Sequence, residues 1–294
     1  MSQRGRRERA EERAGWLWVS PFVIGVVVFL AVPVALAVYT SFTDYALLEP
    51  PLWIGAEHYA ELGEDPVFWR SVRNTALYAV GAVALNTLVA LGLALLLERP
   101  VRGRELVRAI VFAPVLVPIV AASIGWMWLY HPEHGLIADA VAALGMPRPD
   151  LLGDARTALA SLVVMGAWIV GSQVVVLTAA LRGVSRSQLE AATLDGADAG
   201  WRFRAVVLPS IGPALLFNVV VSIIWAAQVF ATPLVMTRGG PAGATQVYAM
   251  YVFQNAFQYG RMGYASALAW IQFLVVCVLT AIVLRLGKRF META

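Results

Sequence analysis

Long apolar runs, separated by short stretches rich in Arg, Asp and Glu, set the pattern of this chain. A helix needs about 20 apolar residues to cross a hydrocarbon core of roughly 30 Å. Six runs meet that length, over residues 15–41, 71–97, 108–130, 157–181, 210–236 and 263–286. Alternating apolar and polar segments of about ten residues, the mark of a membrane barrel, are absent. The pattern predicts an all-α membrane protein with a tail over 1–14, a six-helix membrane domain over 15–286 and a second tail over 287–294.

Composition supports this. Hydrophobic residues make up 60% of the chain and charged residues 14%, where a soluble domain carries about 25% charged residues. The first run follows the basic stretch RGRRERAEERAG. It is longer than the apolar core of a signal peptide, so it is read as a retained span. Cys277 is the single cysteine, which leaves no intrachain disulfide and reads as a packing residue.

Charge then sets orientation. Arg4, Arg6, Arg7, Arg9 and Arg13 precede the first span, Arg99, Arg102, Arg104 and Arg108 follow the second, and Arg182, Arg186, Arg202 and Arg204 follow the fourth. Arg285, Lys288 and Arg289 close the chain. By the positive-inside rule both termini and these two connectors face the cytoplasm. The basic pI is thus a topology signal, and no nucleic-acid partner is expected.

The connector RSQLEAATLDGADAGWRFRAVVLP, within a cytoplasmic segment over 185–209, interrupts this pattern. Ser187 with Glu190 reads as a capping box, Gly196 as the end of a short helix and Asp198 as the cap of a second, with Leu208-Pro209 starting the fifth span. Two readings stand side by side: a knob that inserts into another protein, and an amphipathic connector lying on lipid headgroups.

EAATLDGADAGWRFRAVVLP also resembles the cytoplasmic signature of binding-protein-dependent ABC importer permeases. Glu190, Ala191, Ala192, Gly196, Leu208 and Pro209 match in type and spacing, and Val206 stands where Ile is usual. SPFVIGVVVFLAVPVALAVYTSFTDY, DPVFWRSVRNTALY, GRELVRAIVFAPVLVP, WMWLYHPEHGLI and TRGGPAGATQVYAMYVFQNAFQYGRMGYASAL are similar to further landmarks of the carbohydrate importers in that family. The resemblance implies the MetI-like fold of type I importers and a set of partners: a second, homologous permease, two ATPase subunits and an extracytoplasmic solute-binding protein. It makes Glu190, Ala191, Ala192, Asp195 and Gly196 the coupling helix that docks on an ATPase, and Gly239, Gly240 and Pro241 a contact for the binding protein. Ala231 and Arg238 depart from the family pattern.

No G-x-x-x-x-G-K-[ST] loop occurs, so the chain lacks the usual ATP cradle; no cofactor of its own is expected, and the resemblance puts ATP with Mg on the partner ATPase. A sugar route needs polar groups at mid-depth, where they are costly unless they face a cavity or another helix. Asn218, Ser222, Trp225 and Gln228 follow one another at helical spacing in the fifth run, and Trp168, Ser172 and Gln173 lie in the fourth. An aromatic plate beside amides and hydroxyls suits a sugar, while the same residues also suit helix–helix packing. The resemblance places a pocket at Trp168, Ser172, Ser222 and Trp225. His131 and His134 have no third ligand nearby in sequence and read as loop residues. An ion-coupled carrier is the alternative, but no Asp or Glu lies within the core of a run, and an intramembrane enzyme lacks a catalytic set.

Overall fold

The computed structural model describes residues 3–98 and 103–292, and most of them are helical. The chain forms two compact units: one holds residues up to Glu64 together with Val252–Ile271, the other Asp65–Tyr251 and the chain from Gln272 on.

In the first unit, Gly15–Thr40 is a helix long and apolar enough to span, and none of its most apolar stretch is buried. A two-stranded antiparallel hairpin follows, pairing Thr43 with Trp53 and Asp44 with Leu52. Helix Glu57–Glu64 then brings the buried His58 against this hairpin, its Nε2 lying 3.1 Å from the Thr43 carbonyl. Tyr264, fully buried at the start of the last helix, meets the His58 ring edge-on.

Helix Pro66–Glu98 is the spine of the second unit. Asn74, Tyr78, Ala82, Ala90 and Ala94 are buried along it at multiples of four residues, a straight face on which small side chains admit other helices closely. Tyr78, Ala82, Leu162, Met165 and Ala226 form one apolar cluster. Ala90, Ala94, Leu97, Val174 and Leu177 form another nearer the Glu98 end.

Among the described residues four helices are long and apolar enough to span by themselves: Gly15–Thr40, Pro66–Glu98, Ala199–Ala227 and Met262–Gly287. The third and fourth expected spans are instead bent pairs. Arg104–Leu116 and Ile119–Leu129 meet at 105°, and Ala158–Ala167 and Gly171–Arg182 at 49°. The first bend has a plain cause. Val117 precedes Pro118 and is extended, at φ −83 and ψ 125, as a residue before proline prefers. The second bend carries no proline; it brings Gly171 down onto the backbone of helix Arg104–Phe112.

The expected fifth span, 210–236, is also redrawn. The Asp198-capped helix does not stop short of it but runs into it as one helix, Ala199–Ala227, through a π turn at Phe203–Val207. That turn lets the chain pass Pro209, which has no amide proton to give to a carbonyl four residues back. The far end stops at Ala227, and Ala231–Met236 is a separate short helix. Pro233 would clash with the Val229 carbonyl in a continuous helix.

Candidate functional site

Helix Arg186–Leu194 carries the EAA run. Its cap is Ser185 rather than Ser187: the Ser185 hydroxyl accepts from the Gln188 amide at 3.5 Å. Ser185-x-x-Gln188 is itself a capping-box pattern, with Val184 and Leu189 at the apolar positions that flank such a box. The other end closes as expected. Gly196 is left-handed at φ +80, its amide donates to Thr193 O at 3.1 Å, and the Ala197 amide donates to Ala192 O at 2.9 Å. These two bonds make a Schellman cap, which needs the glycine. Asp198 Oδ1 then accepts from the Trp201 amide at 2.6 Å and starts the next helix.

The turn thus presents Glu190, Ala191, Asp195 and Gly196 exposed, while Ala192 is buried. Leu194 is 89% exposed, an apolar side chain offered at the tip. Leu189, Ala199, Arg202, Phe203 and Val207 line an open groove beside it. Arg202 braces the turn by donating from Nη1 to Thr193 Oγ1 at 2.6 Å.

The polar residues of the fourth and fifth runs divide into two groups. Gln173 Nε2 donates to Ser222 Oγ at 2.7 Å, Asn218 Nδ2 donates to Gln173 O at 3.3 Å, and Ser222 donates to Asn218 O at 2.7 Å. Asn218 and Ser222 are buried, so this trio fastens helix 171–182 to helix 208–227. Gln173 Oε1 is buried without a hydrogen-bond partner. By contrast Trp168, Ser172, Trp225 and Gln228 are exposed, Trp225 at 75%. Trp168 sits at the bend between its two helices, its ring edge-on to Trp126 with centroids 6.2 Å apart.

The Gly239-Gly240-Pro241 turn contains a cis Gly240–Pro241 bond and is largely folded inward. Gly239, left-handed at φ +85, is buried, and a Cβ there would lie 2.4 Å from Gln246 Oε1. Asn74 of the spine holds the following residues, donating from Nδ2 to Gly243 O at 2.8 Å and to Gln246 O at 3.0 Å. Sequence reading missed Asn74; its signal was an amide inside the family-like stretch DPVFWRSVRNTALY. His131 caps its own turn, Nδ1 accepting from the amides of Glu133 and His134 at 3.2 and 3.3 Å.

Comparison with known proteins places these features in a family. Residues 68–292 match the binding-protein-dependent transport system inner membrane component family. The chain is 33% identical over 273 residues to the sulfoquinovosyl glycerol transport system permease protein SmoG of Agrobacterium fabrum, covering 92% of this chain and 89% of that one. It is 29% identical over 280 residues to the trehalose/maltose transport system permease protein MalF of Thermococcus litoralis, covering 95% of each. The fold matches a chain in the crystal structure of a bacterial ABC transporter that imports the acidic polysaccharide alginate. That match has a TM-score of 0.84 at 21% identity, over 98% of this chain and 99% of that one. The chain therefore belongs to the binding-protein-dependent ABC transporter permeases and is a membrane transport subunit, not an enzyme.

Proposed function

We propose that this chain is one of two homologous permease subunits of an ATP-driven importer for a sugar or sugar derivative. In this reading it crosses the cell membrane six times, each bent pair counting as one span, with the 1–14 and 287–294 tails in the cytoplasm. Two ATPase subunits hold ATP and Mg, and an extracytoplasmic binding protein delivers the solute to the face bearing Gly239–Pro241. The sugar class is supported by what SmoG and MalF are named for.

One observation carries the reading: a rigid, double-capped turn that displays Glu190, Ala191, Asp195, Gly196 and the apolar Leu194 to a partner. Co-purification with the ATPase tests it. Wild type is expected to retain the ATPase, and Glu190→Ala/Gly196→Pro to lose it while still inserting in the membrane. Proline cannot reach φ +80 and has no amide for the Thr193 carbonyl. Equal retention in the two would leave the segment as a lipid-surface connector.

The path for solute is assigned to the exposed set Trp168, Ser172, Trp225 and Gln228, with Gln173, Asn218 and Ser222 as the polar fastening behind it. Trp225→Ala is expected to cut uptake of a transported sugar, screened from a radiolabelled panel, by about tenfold, the size of one lost stacking contact. Ser222→Ala should instead lower thermal stability. Unchanged uptake in Trp225→Ala would move the path elsewhere.

A further inference from the structure

Three ionic side chains lie where three helices end. Glu98 lies in the last described turn of helix Pro66–Glu98, Arg104 opens Arg104–Phe112 and Arg182 closes Gly171–Arg182. Glu98 Oε1 accepts from Arg104 Nη2 at 2.6 Å and from Arg182 Nε at 3.0 Å. One carboxylate oxygen thus joins three helices.

Helix energetics alone would not put all of these charges there. A guanidinium is favoured at a helix C-terminus, as for Arg182, and disfavoured at an N-terminus, where Arg104 lies. Glu98 offsets that cost by pairing with Arg104. The pair is also partly shielded, with side chains 27% and 28% exposed. Leu97, Val107 and Leu181, each close in sequence to one of the three ionic residues, belong to the apolar cluster at this end of the spine. Exposed pairs contribute little to stability, so a pair kept against a helix dipole is better explained by what it holds in place.

What it holds adjoins the exposed turn. Only Gly183, Val184 and Ser185 separate Arg182 from helix Arg186–Leu194, and Val184 is buried, so the link has little slack. We propose that Glu98 is a positioning residue whose double ion pair makes helix 66–98 move together with helix 171–182 and the segment 186–194. A shift imposed on that segment then reaches the spine directly. The inference rests on the proposed docking of 186–194 on the ATPase.

The test uses the complete transporter reconstituted in lipid, with Cys277→Ser to clear the native thiol, and needs no knowledge of the solute. Spin labels replace Leu88 on the spine and Arg186 at the start of the segment, both exposed. Their separation is measured by electron–electron resonance without nucleotide and with ATP and Mg trapped by vanadate. The wild-type separation is expected to stay fixed, and that in Glu98→Gln to shift by about 2 Å or more, the scale of helix displacements in such transitions. A shift already present in wild type, or none in Glu98→Gln, overturns the proposal. ATPase retention, read on the same samples, tells the two failures apart: a complex that keeps its ATPase but shows no effect of Glu98→Gln refutes the clasp alone. One that keeps its ATPase even with Glu190→Ala/Gly196→Pro refutes the docking on which the clasp depends.

Discussion

Gly171→Val is expected to leave the chain inserted in the membrane but to lower its thermal midpoint in detergent by about 5–10 °C. Gly171 opens helix Gly171–Arg182 and is buried. A Cβ there would lie 2.8 Å from Val111 O, 2.9 Å from Val115 Cγ2 and 3.0 Å from Phe112 Cα. Two of those atoms are backbone and cannot rotate aside, so helix 171–182 must back away from helix 104–112. Overpacking of this kind costs about 1–3 kcal/mol for a single added group, and Val adds two methyls beyond the Cβ. Between membrane helices close packing supplies most of the attraction, so the gap is not offset by water release. Gly125→Ala is the control, since a Cβ there meets nothing within 4 Å. Equal midpoints for Gly171→Val and Gly125→Ala would mean that the 49° bend is held by something other than this contact.

Asn74→Leu is expected to loosen the 239–246 turn without unfolding the spine. Asn74 is 2% exposed and donates both of its bonds to carbonyls of the turn, at Gly243 and Gln246. Leu has the same branching but donates nothing, so two shielded carbonyls lose their donors at about 1–3 kcal/mol each. The neighbouring Thr75 Oγ1 accepts from the Tyr248 amide at 2.8 Å, and Arg70 packs against Gly243, so some attachment remains. Amide hydrogen exchange at Thr245 and Gln246 should accelerate by about thirtyfold or more, with helix 66–98 unchanged. Unchanged exchange would show that Thr75 and Arg70 suffice. If the turn receives the binding protein, the same variant should weaken that protein's stimulation of ATP hydrolysis.

The sequence was most informative where length and caps decide the structure. The run at 71–97 became the spine, and Gly196 and Asp198 took the roles their residue types predict. The bends were harder, because an apolar run keeps its composition when its helix breaks. Pro114 and Pro118 were a visible warning for the third span, whereas the fourth gave only glycines. Ser185 and Ser187 each head a plausible capping box, and choosing between them required weighing Val184 as the apolar residue ahead of the cap. In the candidate path, helical spacing grouped Asn218, Ser222 and Trp225, but periodicity does not tell a buried amide from an exposed indole. The bond from Gln173 to Ser222 spans 49 residues and leaves no local trace.

A π turn holds one residue more than the α turn it replaces, and the one at Phe203–Val207 lies upstream of all three of those fifth-span residues. Losing any one of its residues would restore α geometry while the helix beyond keeps its rotation, whereas the same loss from an α turn would swing everything beyond it by about 100° about the helix axis. Among descendants of such a chain, a single codon lost there leaves Asn218, Ser222 and Trp225 on the faces they now occupy. The helix can then change length with its lining intact, and alignments of relatives should admit a one-residue gap across 203–207 before residue roles are carried between them.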